Sequence, residues 1–274
     1  MKYRELCAKL SEVGVSDFEL EARLMLESFF GASPATVFAE PEREYASDAL
    51  EKAILKRKSK APLQYIFGEW ELMGLKFTVN EGCLIPRPDT EILIERALSL
   101  LKKGDCVADL CTGSGCIGIS LAKLGKELFW LTLLDISSDA LLVARENVKR
   151  HGVSAELVEA DLREWEPKIK YDMIVSNPPY IPTKDIDSLS DEVKNEPFIA
   201  LDGGEDGLFF VRLLLDRGLS YLKDGGYMLI EFGYDQGEII DTYLAKLKQD
   251  GKIKSYELLK DYGGNVRALC LQKE

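Results

Sequence analysis

Histidine is nearly missing from this chain: His151 is the only one in 274 residues. That scarcity argues against Ser-His-Asp and Cys-His catalysis, which need an imidazole beside the nucleophile. His151 precedes Gly152 at the end of a helical pattern, where the ring faces the helix dipole rather than a substrate. The six cysteines include no Cys-x-x-Cys pair. Cys106, Cys111 and Cys116 run from a strand through a loop into a helix, so their thiols should diverge and no metal site is expected. All six read as small buried hydrophobes in a reducing compartment. No uninterrupted apolar stretch is long enough to span a bilayer. The first residues, Met1-Lys2-Tyr3-Arg4-Glu5, are charged with no apolar signal core behind them, so a cytoplasmic protein is expected. Basic residues are in deficit too: 35 Lys and Arg against 47 Asp and Glu, a net charge of −12. That balance disfavours a broad phosphate-binding surface and direct nucleic-acid binding. It suits a small-molecule substrate or a basic protein partner.

What the chain does have is order of two kinds. Residues 1–62 read as a small helical domain. Ser16 can cap a helix carrying Leu20, Leu24 and Phe29 and stopped by Gly31. Ser33-Pro34 opens a second, and Ser47 can cap a third with Leu50, Ile54 and Leu55 on one face. Residues 63–80 read as a hairpin linker, with strands at Leu63 to Gly68 and Leu75 to Val79 joined around Gly74. Over 81–274 strand and helix patterns alternate. Cys106 to Leu110, Phe129 to Leu134, Glu156 to Ala160, Met173 to Ser176 and Tyr227 to Phe232 are the short strands of a parallel sheet with helices on both faces. Ile253 to Leu259 and Val266 to Leu271 form an antiparallel hairpin at the end. A mostly parallel sheet finishing this way is the methyltransferase variant of the doubly wound, Rossmann-like fold.

Two loops at strand ends carry the chemistry. The first, Asp109-Leu110-Cys111-Thr112-Gly113-Ser114-Gly115, follows the first core strand and opens a helix, where open α/β sheets bind ligands. Asp135 ends the next strand, where a carboxylate can accept both hydroxyls of a ribose. Gly113-Ser114-Gly115-Cys116-Ile117-Gly118 also matches the dinucleotide fingerprint. Two features favour S-adenosylmethionine over a nicotinamide dinucleotide. Asp109 at the strand end can meet a cationic ligand but would repel a pyrophosphate, and the glycines start several residues after the strand. A dehydrogenase would also need a proton-relay residue, and none is obvious. Asp161 and Leu162, after the third strand, stand where an adenine would lie or form a plain turn.

The second loop, Asn177-Pro178-Pro179-Tyr180, is the most specific signal. Consecutive prolines fix the backbone and remove two N–H donors. The wall they leave offers acceptors, the Asn177 side-chain oxygen and the Pro178 carbonyl, which suit an –NH2 group. Tyr180 offers a flat face to a planar group.

With these motifs on a helical N-terminal domain, the chain resembles the bacterial peptide chain release factor glutamine methyltransferases over nearly its full length. The carrying segments are Ile85-Pro86-Arg87-Pro88-Asp89-Thr90-Glu91, Asp109 through Gly115, Asp135-Ile136-Ser137, Asn177 through Ile181, Glu196-Pro197 and Asp261 through Arg267. The resemblance implies methyl transfer from S-adenosylmethionine to the side-chain amide of the glutamine in a release factor's Gly-Gly-Gln motif, leaving S-adenosylhomocysteine. It implies the cofactor on 111–115, Asp135 and Asn177, the glutamine amide on Asn177 through Tyr180, and a docking role for the helical domain. The Asn-Pro-Pro-Tyr motif alone is shared with N6-adenine and guanine-N2 methyltransferases of DNA and ribosomal RNA, the alternative reading. Cys111 stands where the family commonly has glycine, which requires a negative φ there if the loop keeps its shape. Leu162 stands where some relatives have an aromatic residue. The acidic stretch 185–196 reads equally as a rim over the target site or as a solvated loop.

Overall fold

The computed structural model describes residues 1–46, 48–125 and 130–274. Their contacts divide into two units, Met1–Glu69 with Ser190–Asn195, and Trp70–Leu189 with Glu196–Glu274.

The first unit contains α1 (Tyr3–Glu12), α2 (Phe18–Phe30), α3 (Pro34–Ala39), α4 (Asp48–Lys58) and α5 (Leu63–Phe67). Gly31 in the left-handed conformation closes α2, and the Ser33 hydroxyl accepts from the Thr36 N–H to open α3. The buried face of α2 is Ala22, Met25 and Leu26, not the expected Leu20, which is exposed. On α4, Leu50 and Ile54 are buried but Leu55 points to solvent. Ser47, the expected cap, lies outside the described residues.

The expected strand at Leu63 to Gly68 is instead α5. Pro62 fits the N-cap, and Gly68 at φ 73° donates its N–H to the Gln64 carbonyl. These start and stop signals override the strand-like composition. Leu63, Ile66 and Phe67 then pack on the helical core. The hairpin lies one step later, β1 (Glu69–Leu72) and β2 (Leu75–Thr78). Met73 and Gly74, at φ 53° and 72°, turn it with the positive φ pair that a two-residue hairpin loop demands.

The stretch 185–196 is built of two short helical turns, Thr183–Ser188 and Asp191–Lys194. Within the first unit Arg57, 2% exposed, donates to both Glu21 oxygens at 2.7 Å and to Glu192 Oε1 at 2.6 Å. The acidic residues there are partly spent on neutralising one buried guanidinium.

The second unit is a seven-stranded sheet. Its strands are β3 (Cys106–Leu110), β4 (Trp130–Asp135), β5 (Glu156–Glu159), β6 (Tyr171–Ser176), β7 (Leu222–Glu231), β8 (Ile253–Lys260) and β9 (Val266–Lys273), in the order β5-β4-β3-β6-β7-β9-β8. Phe129, expected to begin β4, lies outside the described residues. The first five strands run parallel; β9 is antiparallel to both β7 and β8. The mostly parallel sheet with its terminal antiparallel hairpin is as expected. Alternation splits the apolar residues between two cores. Val107, Val175 and Leu229 face α6 (Glu91–Leu100) and α7 (Cys116–Leu124). Ala108, Ile174 and Ile230 face the helix Gly237–Gln249 and the segment 208–221. The order reverses between β3 and β6, so the loops after these two strands open side by side. Among the described residues no helix is long and apolar enough to cross a membrane.

Candidate active site

A cavity of about 480 Å³ opens at this reversal point, within the second unit. Its walls include Cys111, Thr112, Gly113 and Ser114 from the loop after β3, Asp135 at the end of β4, and Asp161 and Leu162 after β5. Asn177 and Pro179 form the wall after β6. Two lengths of chain far apart in sequence complete it, Gly82 to Arg87 with Thr90 on one side and Pro197 to Ala200 with Phe209 on the other. Asp109, Gly115, Pro178 and Tyr180 are not among the residues lining it.

Asp109 was expected to meet the ligand's positive charge. It is fully buried and turned into its own loop instead: Oδ2 accepts from the Thr112 hydroxyl at 2.7 Å and from the Gly118 N–H at 2.9 Å. Burial pushes its carboxyl up to about 7. It therefore clamps the loop to the start of α7. Gly118 leaves room beneath it: a Cβ there would lie 2.6 Å from Leu133 Cδ2 and 3.1 Å from Asp109 Oδ2, so one of the two would have to move.

Cys111 overturns a second expectation. Its φ is 59°, in the left-handed region, not negative. A side chain at such an angle costs roughly 1–2 kcal/mol, which is why glycine suits the position. The turn is held from both sides, by the Thr112 N–H on the Leu134 carbonyl and the Gly115 N–H on the Thr112 carbonyl.

Asp135, expected to accept a ribose, lines the cavity with both carboxylate oxygens fixed by backbone N–H groups. Its Oδ2 accepts from the Gly113 N–H at 2.8 Å and its Oδ1 from the Ser137 N–H at 3.0 Å. Each oxygen keeps a further acceptor site, and the side chain lines the cavity. Burial raises its pKa above the ordinary aspartate value. A nucleoside's two ribose hydroxyls match an acceptor pair fixed in this way. Leu162, 5% exposed, gives an apolar wall for a flat base, while Asp161 is gripped by Arg163 through Nε and Nη2.

The loop after β6 is tied down by residues that the sequence analysis did not single out. The Gln236 side chain donates to the Tyr180 carbonyl at 2.9 Å and receives the Gly233 N–H. Gly207 packs so closely that a Cβ there would stand 2.3 Å from the Tyr180 carbonyl oxygen. Beneath the loop lies Glu231, 1% exposed, whose Oε2 accepts from the Thr90 hydroxyl at 2.7 Å and whose Oε1 accepts from the Tyr180 hydroxyl at 3.4 Å. Asn177 Nδ2 donates to Thr90 Oγ1 at 3.4 Å, and Asn177 Oδ1 is buried without a partner. The Ile85-to-Glu91 segment that supplies Thr90 is pinned by buried Glu196, which accepts from the Ile85 N–H at 3.0 Å and from the Arg87 guanidinium. Arg267, from the terminal hairpin, bridges Asp89 and Asp261, each at 3.1 Å. The motif-bearing segments are thus joined physically around one cavity.

Known proteins match this chain at each level. A family model described as PrmC N-terminal domain matches residues 3–68, and one described as Methyltransferase small domain matches 88–194. The chain is 35% identical over 281 residues to the release factor glutamine methyltransferase of Aquifex aeolicus (strain VF5), covering 100% of this chain and 96% of that protein. It is 37% identical over 271 residues to that of Moorella thermoacetica, covering 96% and 94%. Among solved structures it resembles a methyltransferase from Pyrococcus furiosus, with TM-score 0.55, 18% identity, and 81% and 97% of the two chains covered. It also resembles a T. thermophilus 16S rRNA N2 G1207 methyltransferase in complex with AdoMet and guanosine, with TM-score 0.52, 17% identity, and 75% and 50% covered. These last two likenesses are of fold alone.

Proposed function

The chain belongs to the family of release factor glutamine methyltransferases, and from that premise we propose that it methylates the side-chain amide nitrogen of the glutamine in a release factor's Gly-Gly-Gln motif, using S-adenosylmethionine. The observation that carries this reading is the unclaimed acceptor of the target loop, Asn177 Oδ1, on a residue that also lines the cavity beside the Gly-rich loop.

The cavity residues fit the cofactor. Asp135 would hold the ribose, the loop 111–115 the amino-acid end, and Leu162 one face of the adenine. S-adenosylmethionine, when bound, supplies a methyl group on a sulfonium, which is already an excellent leaving group. The chain's own task is to prepare the nucleophile. An amide nitrogen attacks poorly because its lone pair is delocalised into the carbonyl. Two hydrogen bonds, from its two N–H protons to Asn177 Oδ1 and the Pro178 carbonyl, draw electron density onto nitrogen and aim it. With the cofactor bound, this nitrogen would take the methyl group as the methyl–sulfur bond breaks, leaving S-adenosylhomocysteine, and would give up one proton to solvent. Proximity and fixed dipoles carry the catalysis, with no titrating base required before attack. The helical unit is proposed to dock the release factor.

The alternative, methylation of an exocyclic amine on DNA or ribosomal RNA, would use the same acceptor wall. The net charge of −12 weighs against it. Labelled S-adenosylmethionine offered with release factor, DNA and ribosomal RNA side by side separates the two. Label in release factor alone is expected; label in nucleic acid alone would reverse the assignment.

A further inference from the structure

We propose that Glu231 is a positioning residue for the methyl-transfer site: through Thr90 it dictates which end of the Asn177 side-chain amide is left free for substrate, and through the Tyr180 hydroxyl it anchors the far end of the target loop. The inference rests on the methyltransferase reading above and adds to it a residue that touches neither substrate nor cofactor.

Glu231 ends β7 on the same sheet face as Leu229, which is the α6 side. The turn Pro88–Thr90 leads into α6 and brings Thr90 over it. The hydrogen bonds of this buried carboxylate come from two hydroxyls, Thr90 at 2.7 Å and Tyr180 at 3.4 Å. An ionised carboxylate can only accept. The single hydroxyl proton of Thr90 is therefore committed to Glu231, and Thr90 Oγ1 can act toward Asn177 only as an acceptor. Asn177 must turn its NH2 to Thr90, and the 3.4 Å contact from Nδ2 has that sense. What remains is Oδ1, buried and unpartnered, the acceptor that an amide N–H needs. With a donor at position 231 the chain of bonds reverses. Thr90 could then donate to Asn177, the amide could flip, and an NH2 would oppose the substrate NH2.

A buried carboxyl among hydroxyls is costly to keep, and an apolar residue would fill the place more cheaply. Its state is also sensitive to pH. Burial pushes the Glu231 carboxyl up to about 7, with Asp89 raising it further and Arg267 and the hydroxyls of Thr90 and Tyr180 opposing. Once protonated, Glu231 can donate as well as accept, and Thr90 is no longer constrained. The chemical step should therefore weaken as pH falls through about 7.

The test uses the full-length protein and four forms: wild type, Glu231→Gln, Thr90→Val and Thr90→Ser. Methyl transfer to release factor is measured against pH, with kcat and KM separated, and S-adenosylmethionine affinity is measured by calorimetry. Glu231→Gln should lower kcat by about 10²-fold, the scale of one misplaced transition-state dipole, and should lose the acid limb of the kcat profile. Its cofactor affinity should stay near that of wild type. Thr90→Val should behave likewise, and Thr90→Ser, which restores the hydroxyl, should recover roughly tenfold or more of that loss. A Glu231→Gln protein with near-native kcat and an unchanged acid limb overturns the proposal. If wild type transfers no methyl group to release factor, the substrate reading fails, and the relay is read from the Asn177 side-chain amide resonances by NMR. Resonances that move with pH in wild type but not in Glu231→Gln support the relay; resonances indifferent to pH in wild type overturn it.

Discussion

Replacing Asp135 by alanine removes two things at once, and their sizes can be worked out separately. Toward the protein, the carboxylate fastens the Gly113 and Ser137 N–H groups at 2.8 and 3.0 Å. Toward the cofactor, on the proposed reading, it would offer the remaining acceptor sites to the ribose. A hydrogen bond to a charged acceptor contributes about 1.5–3 kcal/mol. At about 1.4 kcal/mol per factor of ten, losing one such bond weakens binding by roughly ten- to 150-fold. Asp135→Ala should therefore raise the Kd for S-adenosylmethionine at least tenfold. Asp135→Asn retains the shape but swaps one oxygen for a donor, so one of the two backbone N–H groups faces an NH2; it should also bind weakly. Calorimetry with both S-adenosylmethionine and S-adenosylhomocysteine is the informative assay. The ribose is common to the two ligands, so the losses should match. An unchanged affinity in a folded Asp135→Ala protein would remove the residue from the site. A loss confined to S-adenosylmethionine would show that Asp135 acts on the sulfonium charge and not on the ribose.

Three further outcomes follow from other parts of the structure. Asn177→Ala should reduce turnover by about 10²-fold or more while the circular dichroism spectrum and melting profile stay native-like; near-native turnover would mean that the amide is held elsewhere. Asp109 is a buried carboxyl raised to about 7, so its folded form holds the proton more tightly than the unfolded chain does. Its contribution to stability is full below about 4 and is lost as pH rises through about 7, so the stability of Asp109→Asn relative to wild type should rise across that window in denaturant titrations. An Asn there can still accept from Thr112 and Gly118, so a variant that is equally destabilised at every pH would contradict the clamp role. On the helical unit, Phe38 and Leu55 are 69% and 66% exposed; replacing both by serine should raise KM for intact release factor without altering cofactor affinity, and an unchanged KM would count against docking through these two side chains.

Much of this site is legible in the sequence, because its parts are local. The glycines after β3, the carboxylate ending β4 and the double proline after β6 each announce themselves within a few residues. Tertiary partners do not. Glu231 follows Met228, Leu229 and Ile230 and looks like the ordinary polar end of a strand. Nothing near it in sequence indicates that Thr90 will lie 2.7 Å away. Asp109 shows the converse: its place at the strand end was plain, but whether it faced the cavity or its own loop depended on the α7 backbone folding over it. The strand expected at Leu63 to Gly68 failed because aromatic and β-branched residues were weighted above the proline and glycine that bracket them. Cys111 failed for a different reason, since the surrounding bonds hold the turn strongly enough to impose a left-handed angle on a residue that disfavours it.

On the proposed reading, the target loop is an acceptor wall for an amide NH2. The most direct measurement is methyl transfer to release factor carrying glutamine, glutamate or asparagine at the Gly-Gly-Gln position, at equal concentration. Glutamate has nearly the shape of glutamine but no N–H to donate, so it would face Asn177 Oδ1 and the Pro178 carbonyl oxygen to oxygen in a desolvated cleft. A site built around an N–H donor rejects an analogue lacking it by roughly 10⁴-fold. Asparagine keeps the amide but falls one methylene short of the methyl group and should also fail. Strong labelling of the glutamine form, with the other two at background, is the predicted result. Comparable labelling of the glutamate form would contradict the acceptor-wall account and the chemistry built on it.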